Sequence, residues 1–236
     1  MAANDVKLLG AWPSPFVMRV RMALKIKAVD YEFLEEKMGS NNDILHKSEL
    51  LLKSNPVYKK IPVLIHGDKP ICESLVIVQY IDEVWTSGSS ILPSDPFDRA
   101  IARFWAAYIE DKWVPSLRSI GMAESEEAKK AAMEQVEEGL GLLEDAFVKC
   151  SKGKNFFSGD QVGYLDITLG CYLGWLKVTE KMNNVKLLDG AKTPGLDKWA
   201  ERFCSDVAVK DVMPETEKLI EFAKVLFAKL RAASPN

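Results

Sequence analysis

Residues 60–85, "KIPVLIHGDKPICESLVIVQYIDEVW", decide how the first third of the chain folds. Gly67-Asp68 stands between two short apolar runs, "IPVLIH" and "KPIC", where a hairpin turn needs positive φ. After Cys72 the apolar period lengthens to that of a helix, "ESLVIVQYIDEVW". Working outward, "DVKLLGA" reads as a buried strand. "SPFVMRVRMALKIKA" reads as a helix with Pro15 at the first position, where its missing N–H leaves nothing unpaired. "YEFLEE" alternates apolar and acidic residues, the pattern of a half-exposed strand. "HKSELLLKSNP" is a short helix that ends before Pro56. The order is therefore βαβ, α, then ββα. The βαβ unit implies a parallel pair with a right-handed crossover, and the hairpin adds antiparallel strands.

That element order is the order of a thioredoxin-like domain, expected over residues 1–85. Residues 86–96, "TSGSSILPSDP", are small, polar and proline-containing, and read as a linker. From 97 to 236 nothing reads as a strand, so the second domain is expected to be all-helical. "DPFDRAIARFWAAYIEDKWVPSL" opens with Asp95 as N-cap and Pro96 at the first helical position. "SEEAKKAAMEQVEEGLGLLEDAFVKC" is an acidic amphipathic helix. "GYLDITLGCYLGWLKVTEKM" is apolar nearly all round and reads as one buried central helix. "TPGLDKWAERFC" repeats the cap-then-proline start with Thr193 and Pro194, and "PETEKLIEFAKVLFAKL" closes the chain.

The 236 residues are 47% hydrophobic and 28% charged with a net charge of −3, a globular mix that does not call for nucleic acid or an anionic membrane. No apolar run reaches the ~18 residues of a membrane span. "MAANDVK" has no apolar core of a secretory signal, so a cytoplasmic protein is expected. Cys72, Cys150, Cys171 and Cys204 are far apart and form no metal-like cluster with His46 and His66. They are expected to be buried, reduced thiols, and no metal site is expected.

Four places carry chemistry, each with a plainer alternative. Ser14, between two prolines in "WPSPF", sits where a strand hands over to a helix. It is either a plain N-cap or a hydroxyl aimed at a ligand. No histidine stands near it in sequence to deprotonate it, so its chemistry is hydrogen-bond donation. A donor at a helix N-terminus stabilises an external thiolate. Pro62 in "KKIPVL" is either an ordinary trans proline or a cis one that turns the backbone of Ile61 outward to pair with an extended peptide. Glu73-Ser74 at a strand-to-helix junction is either a capping pair or a pocket for a ligand carboxylate and ammonium. Lys47 and Lys60 are either solvated surface charges or cations at the ligand end of the strands.

Together, "LLGAWPSPFVMRVRMALKIKAVDYE", "HKSELLLKSNPVYKKIPVLIHGDKPICESLVIVQYIDEVW" and "GYLDITLGCYLGWL" resemble the plant tau-class glutathione transferases over nearly the whole chain. The resemblance implies a fold of a thioredoxin-like domain plus a helical domain, and a role for each matching residue. Ser14 hydrogen-bonds the glutathione sulfur. Lys47 and Lys60 hold the glycine carboxylate end, and the Ile61 backbone, beside a cis Pro62, pairs with the cysteinyl part. Glu73 and Ser74 hold the γ-glutamyl end. Gly163 and Asp166 match a structural capping element of the central helix. The electrophile pocket of such proteins lies between the domains, with Phe16, Tyr108, Lys112, Trp175, Phe222 and Leu226 as candidates, although aromatic residues at helical spacing are more often core.

The implied activity is conjugation of glutathione, a co-substrate, to hydrophobic electrophiles in detoxification, with a glutathione peroxidase side activity. The resemblance implies no tightly bound cofactor and a homodimer. The class's role in plant stress responses comes with it. Departures exist. About six extra polar residues precede Lys47 in "EEKMGSNNDILHKS", beside the glycine end. Tyr58 replaces a common histidine, and Gln79 a common acid. Three rivals remain. A dehydroascorbate reductase or thiol transferase needs cysteine where Ser14 stands. A carrier of apolar molecules needs only the pocket. An interaction module that keeps only the fold does not need the complete set of ligand residues.

Overall fold

Leu8, Leu9 and Ala11 bury the strand that organises the first part of the chain. The computed structural model describes residues 5–36 and 47–233. The chain divides into two units, Met1–Leu92 and Pro93–Asn236. In the first, β1 (Val6–Gly10), α1 (Pro15–Ile26), β2 (Glu32–Glu35), α2 (Glu49–Ser54), β3 (Val63–His66), β4 (Lys69–Cys72) and α3 (Ser74–Val84) follow one another. The strands form a single sheet in the order β2-β1-β3-β4. β1 and β2 run parallel, and β3 is antiparallel to both β1 and β4. Val17, Val20 and Leu24 of α1 and Ile77, Val78 and Ile81 of α3 are buried, and these two helices pack together. The extra residues ahead of Lys47 lie mostly in 37–46, outside the described residues, as does His46.

Residues 86–92 fold back onto the first unit. The Asp82 carboxylate accepts from Ile91 N–H (2.9 Å) and Leu92 N–H (2.9 Å), and it pairs with Lys27 at 2.7 Å. The side chains of that pair are only 2% and 8% exposed, so the charges are solvated by each other and not by water. Burial works to raise the Asp82 pKa. The Ile91, Lys27 and Leu92 hydrogen bonds, together with the Lys27 charge, outweigh it and hold the carboxyl below its usual range. Gly88 has φ +71, and a Cβ there would lie 2.5 Å from the Ile26 carbonyl oxygen, so the return path requires glycine. The division between units falls at Leu92, inside the 86–96 segment read as a linker.

The named elements of the second unit are all helices, α4 (Pro96–Tyr108), α5 (Val114–Met122), α6 (Glu126–Ser151), α7 (Tyr164–Gly170), α8 (Leu173–Asn183), α9 (Pro194–Ser205) and α10 (Thr216–Ala233), with one isolated bridge between Phe156 and Gly159. Asp95 caps α4 through Phe97 and Asp98 N–H. A π-helical turn, Ile109–Trp113, joins α4 to α5. Pro115, which has no N–H to continue the ladder, is the second residue of α5.

The stretch read as one central helix is two, α7 and α8, with a turn at Cys171 and Tyr172. The cause is local and tertiary. Thr168 Oγ1 donates to Tyr164 O (2.7 Å) and Cys171 Sγ to Thr168 O (3.3 Å), side-chain bonds that bend helices. The ring of Phe203 fills the place a Cβ on Gly170 would take, 2.3 Å away.

Thr193 does not cap α9 with its side chain. Its hydroxyl donates to Asp189 O (3.1 Å), and Glu144 of α6 accepts from Gly195 N–H (2.8 Å) and Leu196 N–H (2.7 Å) instead. All four cysteines are free. Cys171 is buried, but Cys72, Cys150 and Cys204 are only half-buried, less than expected. Among the described residues no helix is long and apolar enough to cross a membrane, and no three potential metal ligands cluster.

Asp166 is the polar centre of this unit. It is fully buried, and four donors converge on its carboxylate. Phe157 N–H (2.8 Å) and Trp199 Nε1–H (2.8 Å) reach Oδ1. Ser158 N–H (3.2 Å) and Gly163 N–H (3.0 Å) reach Oδ2. It ties the start of α7 to the preceding loop and to α9. Burial raises its pKa to about 6 despite the four hydrogen bonds that favour the ionised form.

Candidate functional site

Leu9, Val63 and Cys72 form one row across β1, β3 and β4, and Gly10 lies opposite Glu35 of β2. Neighbouring strands are about 4.8 Å apart. The segments that leave these positions therefore emerge from one end of the sheet. They are the Trp12–Ser14 corner after β1, Glu36 after β2, Lys60 and Ile61 before β3, and Glu73 after β4. Beneath them Leu9, Leu51 and Val63 make a buried cluster with Leu34, Ile61, Ile65 and Cys72 packed against it. A rigid sheet edge thus carries Ser14, Lys60, Ile61, Glu73 and Ser74.

Ser14 is the N-cap of α1. Its backbone is extended, and Oγ accepts from Val17 N–H at 3.4 Å. A hydroxyl that accepts in this way keeps its own proton for a second partner. The cap and the donor readings of Ser14 are compatible, because one oxygen serves both. Half-buried at a helix N-terminus, that O–H can stabilise an anion.

Glu73 is the N-cap residue of α3 by position only: its side chain makes no capping bond. Its φ of +70 is rare for a residue with a Cβ and is worth about 1–3 kcal/mol of strain. The exposed carboxylate is left for another partner. Ser74 is buried, and its Oγ accepts from Arg19 Nη1 at 3.2 Å. The Ile61–Pro62 bond is cis, and the strand ladder begins only at Val63. Lys60 is exposed, and its carbonyl accepts from Asn55 Nδ2 at 2.9 Å. Lys47 is exposed and precedes Ser48, the N-cap of α2.

Three supporting residues escape a reading of the sequence. Arg19 is fully buried in α1, with its guanidinium 5.2 Å over the Phe16 ring. The signal lies in its place three residues before Met22, on the apolar face, where a cation must have a built partner. Asn55 is buried and shapes the loop before Lys60, accepting also from Tyr58 N–H. An Asn ahead of a proline carries that turn signal. Glu36 accepts from the Ser48 N–H and hydroxyl. Nothing in its acidic, half-exposed strand pattern announces this.

The electrophile-pocket candidates come from both units. Phe16 is half-buried in α1 beside Arg19. In the helical unit Trp175 and Phe222 are in ring contact at 6.2 Å. Phe227, absent from the sequence reading, joins Trp175 at 6.5 Å. Leu226 is half-buried one turn after Phe222, on the same face. Tyr108 ends α4. Its ring meets Trp105 at 5.5 Å, and its hydroxyl lies 3.1 Å from where a Cβ on Gly139 of α6 would stand. Burial, then Glu138, raises its pKa, so it stays a neutral hydroxyl. Lys112 is exposed in the π-helical turn.

Comparison with known proteins gives the family and the fold. Residues 4–83 match the family "Glutathione S-transferase, N-terminal domain", and residues 126–202 match "Glutathione S-transferase, C-terminal domain". The chain is 64% identical to glutathione S-transferase U17 of Arabidopsis thaliana over 98% of its own length and 100% of that relative. It is 70% identical to the solved tau class glutathione S-transferase from mango, Mangifera indica, with a TM-score of 0.89 over 94% of this chain and 98% of that one. Rice GST1, solved in complex with glutathione, is 32% identical with a TM-score of 0.85 over 97% of this chain and 99% of that one.

Proposed function

The chain belongs to the glutathione S-transferase family, in its tau class, and from that premise we propose that it joins the thiolate of glutathione to electrophilic carbon in hydrophobic compounds, with Ser14 as the serine-type thiolate donor. Glutathione is the co-substrate, with no tightly bound cofactor. Lys47 and Lys60 hold its glycine carboxylate, and the Ile61 backbone pairs with its cysteinyl part. Glu73 takes its ammonium, and Ser74 takes its γ-glutamyl carboxylate. The observation that carries the reading is the Ser14 hydroxyl, which accepts from Val17 N–H and keeps its proton at the N-terminus of α1.

Lowering a thiol from pKa ~8.5 by about two units corresponds to roughly 2.7 kcal/mol. One charge-assisted hydrogen bond plus a helix terminus is of that size. The thiol proton leaves to solvent, the thiolate sulfur attacks the carbon, the S–C bond forms and a halide or similar group departs. The same thiolate can attack the O–O bond of an organic hydroperoxide. The O–O bond breaks, the alcohol leaves with a proton from solvent and glutathione sulfenic acid remains; a second glutathione thiol then forms the disulfide and releases water.

Trp175, Phe222 and Leu226 line the apolar part of the electrophile site in this reading, supported by the Trp175–Phe222 ring contact. The family pattern and the exposure of Val57, Tyr58 and Val76 in the first unit and of Phe97 and Phe104 in the second support a two-fold homodimer. Sedimentation that gives a monomer at micromolar concentration refutes that dimer. Free thiols and the absence of a membrane-spanning helix among the described residues fit a cytoplasmic enzyme.

The test compares wild type with Ser14→Ala. Bound glutathione is titrated by thiolate absorbance, and conjugation of an aryl halide is followed in parallel. At pH ~6.5 a thiol of pKa ~6.5 is half ionised and one of ~8.5 about 1%, so Ser14→Ala loses roughly 50-fold in rate while it still binds glutathione. Equal ionisation in both proteins, with tight binding of apolar ligands and slow conjugation, overturns the reading in favour of a carrier.

A further inference from the structure

We infer that Glu36 is a positioning residue for the glycine end of glutathione, acting through Lys47. The inference rests on the reading of Lys47 given above. Glu36 is the first residue after β2 and is only 9% exposed. Its own N–H donates to the Gly10 carbonyl at 2.7 Å, which continues the β1–β2 pairing toward the Ser14 corner. Its carboxylate faces the start of α2. Oε2 accepts from Ser48 N–H at 3.2 Å, and Oε1 accepts from the Ser48 hydroxyl. Ser48 Oγ in turn accepts from Leu51 N–H at 3.0 Å as the N-cap of α2. Both functions of the serine hydroxyl are therefore used, its proton toward Glu36 and its lone pair toward the helix.

Lys47 is bonded directly to this clamped serine. Ten residues, 37–46, separate Glu36 from Lys47 in the chain. The clamp joins the two ends of that segment across a carboxylate, so the place of Lys47 is tied to the sheet edge and not to the length of what lies between. Long surface insertions carry little penalty when their ends are fixed elsewhere. The adjacent Glu35 does similar work on the other arm: its Oε1 accepts from Trp12 N–H at 3.4 Å, two residues before Ser14. A charge-assisted bond fixes direction as well as distance. Small misplacements of a group that orients substrate are felt strongly. Glu36→Gln keeps the size of the side chain but removes the charge and one of the two acceptors.

The experiment measures KM and kcat for glutathione and for the dipeptide γ-glutamylcysteine, which lacks glycine. It uses wild type, Glu36→Gln, Lys47→Ala and the double variant, with thermal melts to check folding. Glu36→Gln is expected to raise KM for glutathione about tenfold, 1.4 kcal/mol. KM for the dipeptide and kcat for both substrates stay as in wild type. In the Lys47→Ala background the same change adds nothing, the signature of two residues on one path.

A merely structural Glu36 raises KM for both substrates alike, and its effect multiplies with that of Lys47→Ala; either result overturns the inference. If Lys47→Ala selectively weakens glutathione and Glu36→Gln does not, the inference falls and the reading of Lys47 stands. If Lys47→Ala changes nothing, the glycine-end reading fails and the inference fails with it. Should Glu36→Gln not fold, Glu36→Asp, which keeps the charge and shortens the reach, gives the same decision between selective and general loss.

Discussion

Replacing Asp166 with Asn changes one atom, and the structure says what that atom does. Asp166 Oδ1 accepts from Phe157 N–H and the Trp199 indole, and Oδ2 from Ser158 and Gly163 N–H. The amide of Asn keeps one oxygen for two of these donors and turns an NH₂ toward the other two. Each buried donor left without an acceptor loses about 1–3 kcal/mol. The expected destabilisation at pH 7 is therefore about 2–6 kcal/mol, a large part of the ~5–15 kcal/mol of an ordinary domain.

The pH dependence has a definite sign. The carboxyl is raised from 3.8 to about 6 in the folded chain, so the native state binds the proton more readily than the unfolded one between those values. Its contribution to stability is full below pH ~4 and is lost as pH rises through ~6, about 3 kcal/mol over two units. The Asn variant has no such titration, so the gap between the two proteins is widest near pH 4 and level above pH 7. Urea unfolding from pH 4 to 8, followed by tryptophan emission, measures the gap directly. A loss below about 1 kcal/mol refutes the reasoning from four converging donors, and a gap that does not vary with pH refutes the raised pKa.

Asp82 responds in the opposite direction: its carboxyl is held low, so its stabilisation is present above pH ~4 and disappears as pH falls below its folded value. Asp82→Ala is expected to destabilise by about 3–5 kcal/mol. Lys27→Met costs less, because the carboxylate keeps its Ile91 and Leu92 donors; equal losses in denaturant titrations contradict this order. Trp175→Ala removes ring contacts to Phe222 and Phe227, worth about 0.5–1.5 kcal/mol each beyond area. KM for an apolar electrophile should rise roughly tenfold while KM for glutathione holds. Parallel rises in both place Trp175 in the core and not in the pocket.

Much of this molecule is written in local pattern. The hairpin at Gly67-Asp68, the prolines at the starts of α1, α4 and α9, and the period of α6 are each decided within a few residues, and the sequence reading finds them. The break between α7 and α8 owes its bend to Thr168 and Cys171 within the segment, but it also sits where Phe203 packs against Gly170, more than thirty positions apart, which no window of the sequence contains. The same division runs through the candidate site. Ser14 and Glu73-Ser74 stand at strand-to-helix corners, where position alone suggests chemistry. Arg19 and Glu36 take their meaning from Ser74 and Ser48, 55 and 12 residues away. In the one-dimensional pattern they are another charge on a helix and another acid at a strand end. Tyr108 shows the same dependence on distant partners: its helical spacing is visible in the sequence, but the place Gly139 of α6 leaves for its hydroxyl is not.

The return of residues 86–92 onto the first unit settles where this chain can be cut. Ile91 is fully buried, and its N–H and that of Leu92 complete the shell of Asp82. Ser87 Oγ donates to Lys27 O at 2.8 Å, closing the far end of α1. A fragment that stops at Trp85, where the secondary structure ends, would open the Lys27–Asp82 pair to water and leave a hole where Ile91 sits. One that runs through Leu92 keeps every one of these partners. A protease faces the same choice: cleavage within 86–92 unravels a core, whereas cleavage between Leu92 and Pro93 leaves both these partners and the Asp95 cap of α4 in place. The natural seam of the molecule, for excision or for exchange of the helical unit with that of a relative, is thus seven residues later than the last strand-and-helix element suggests.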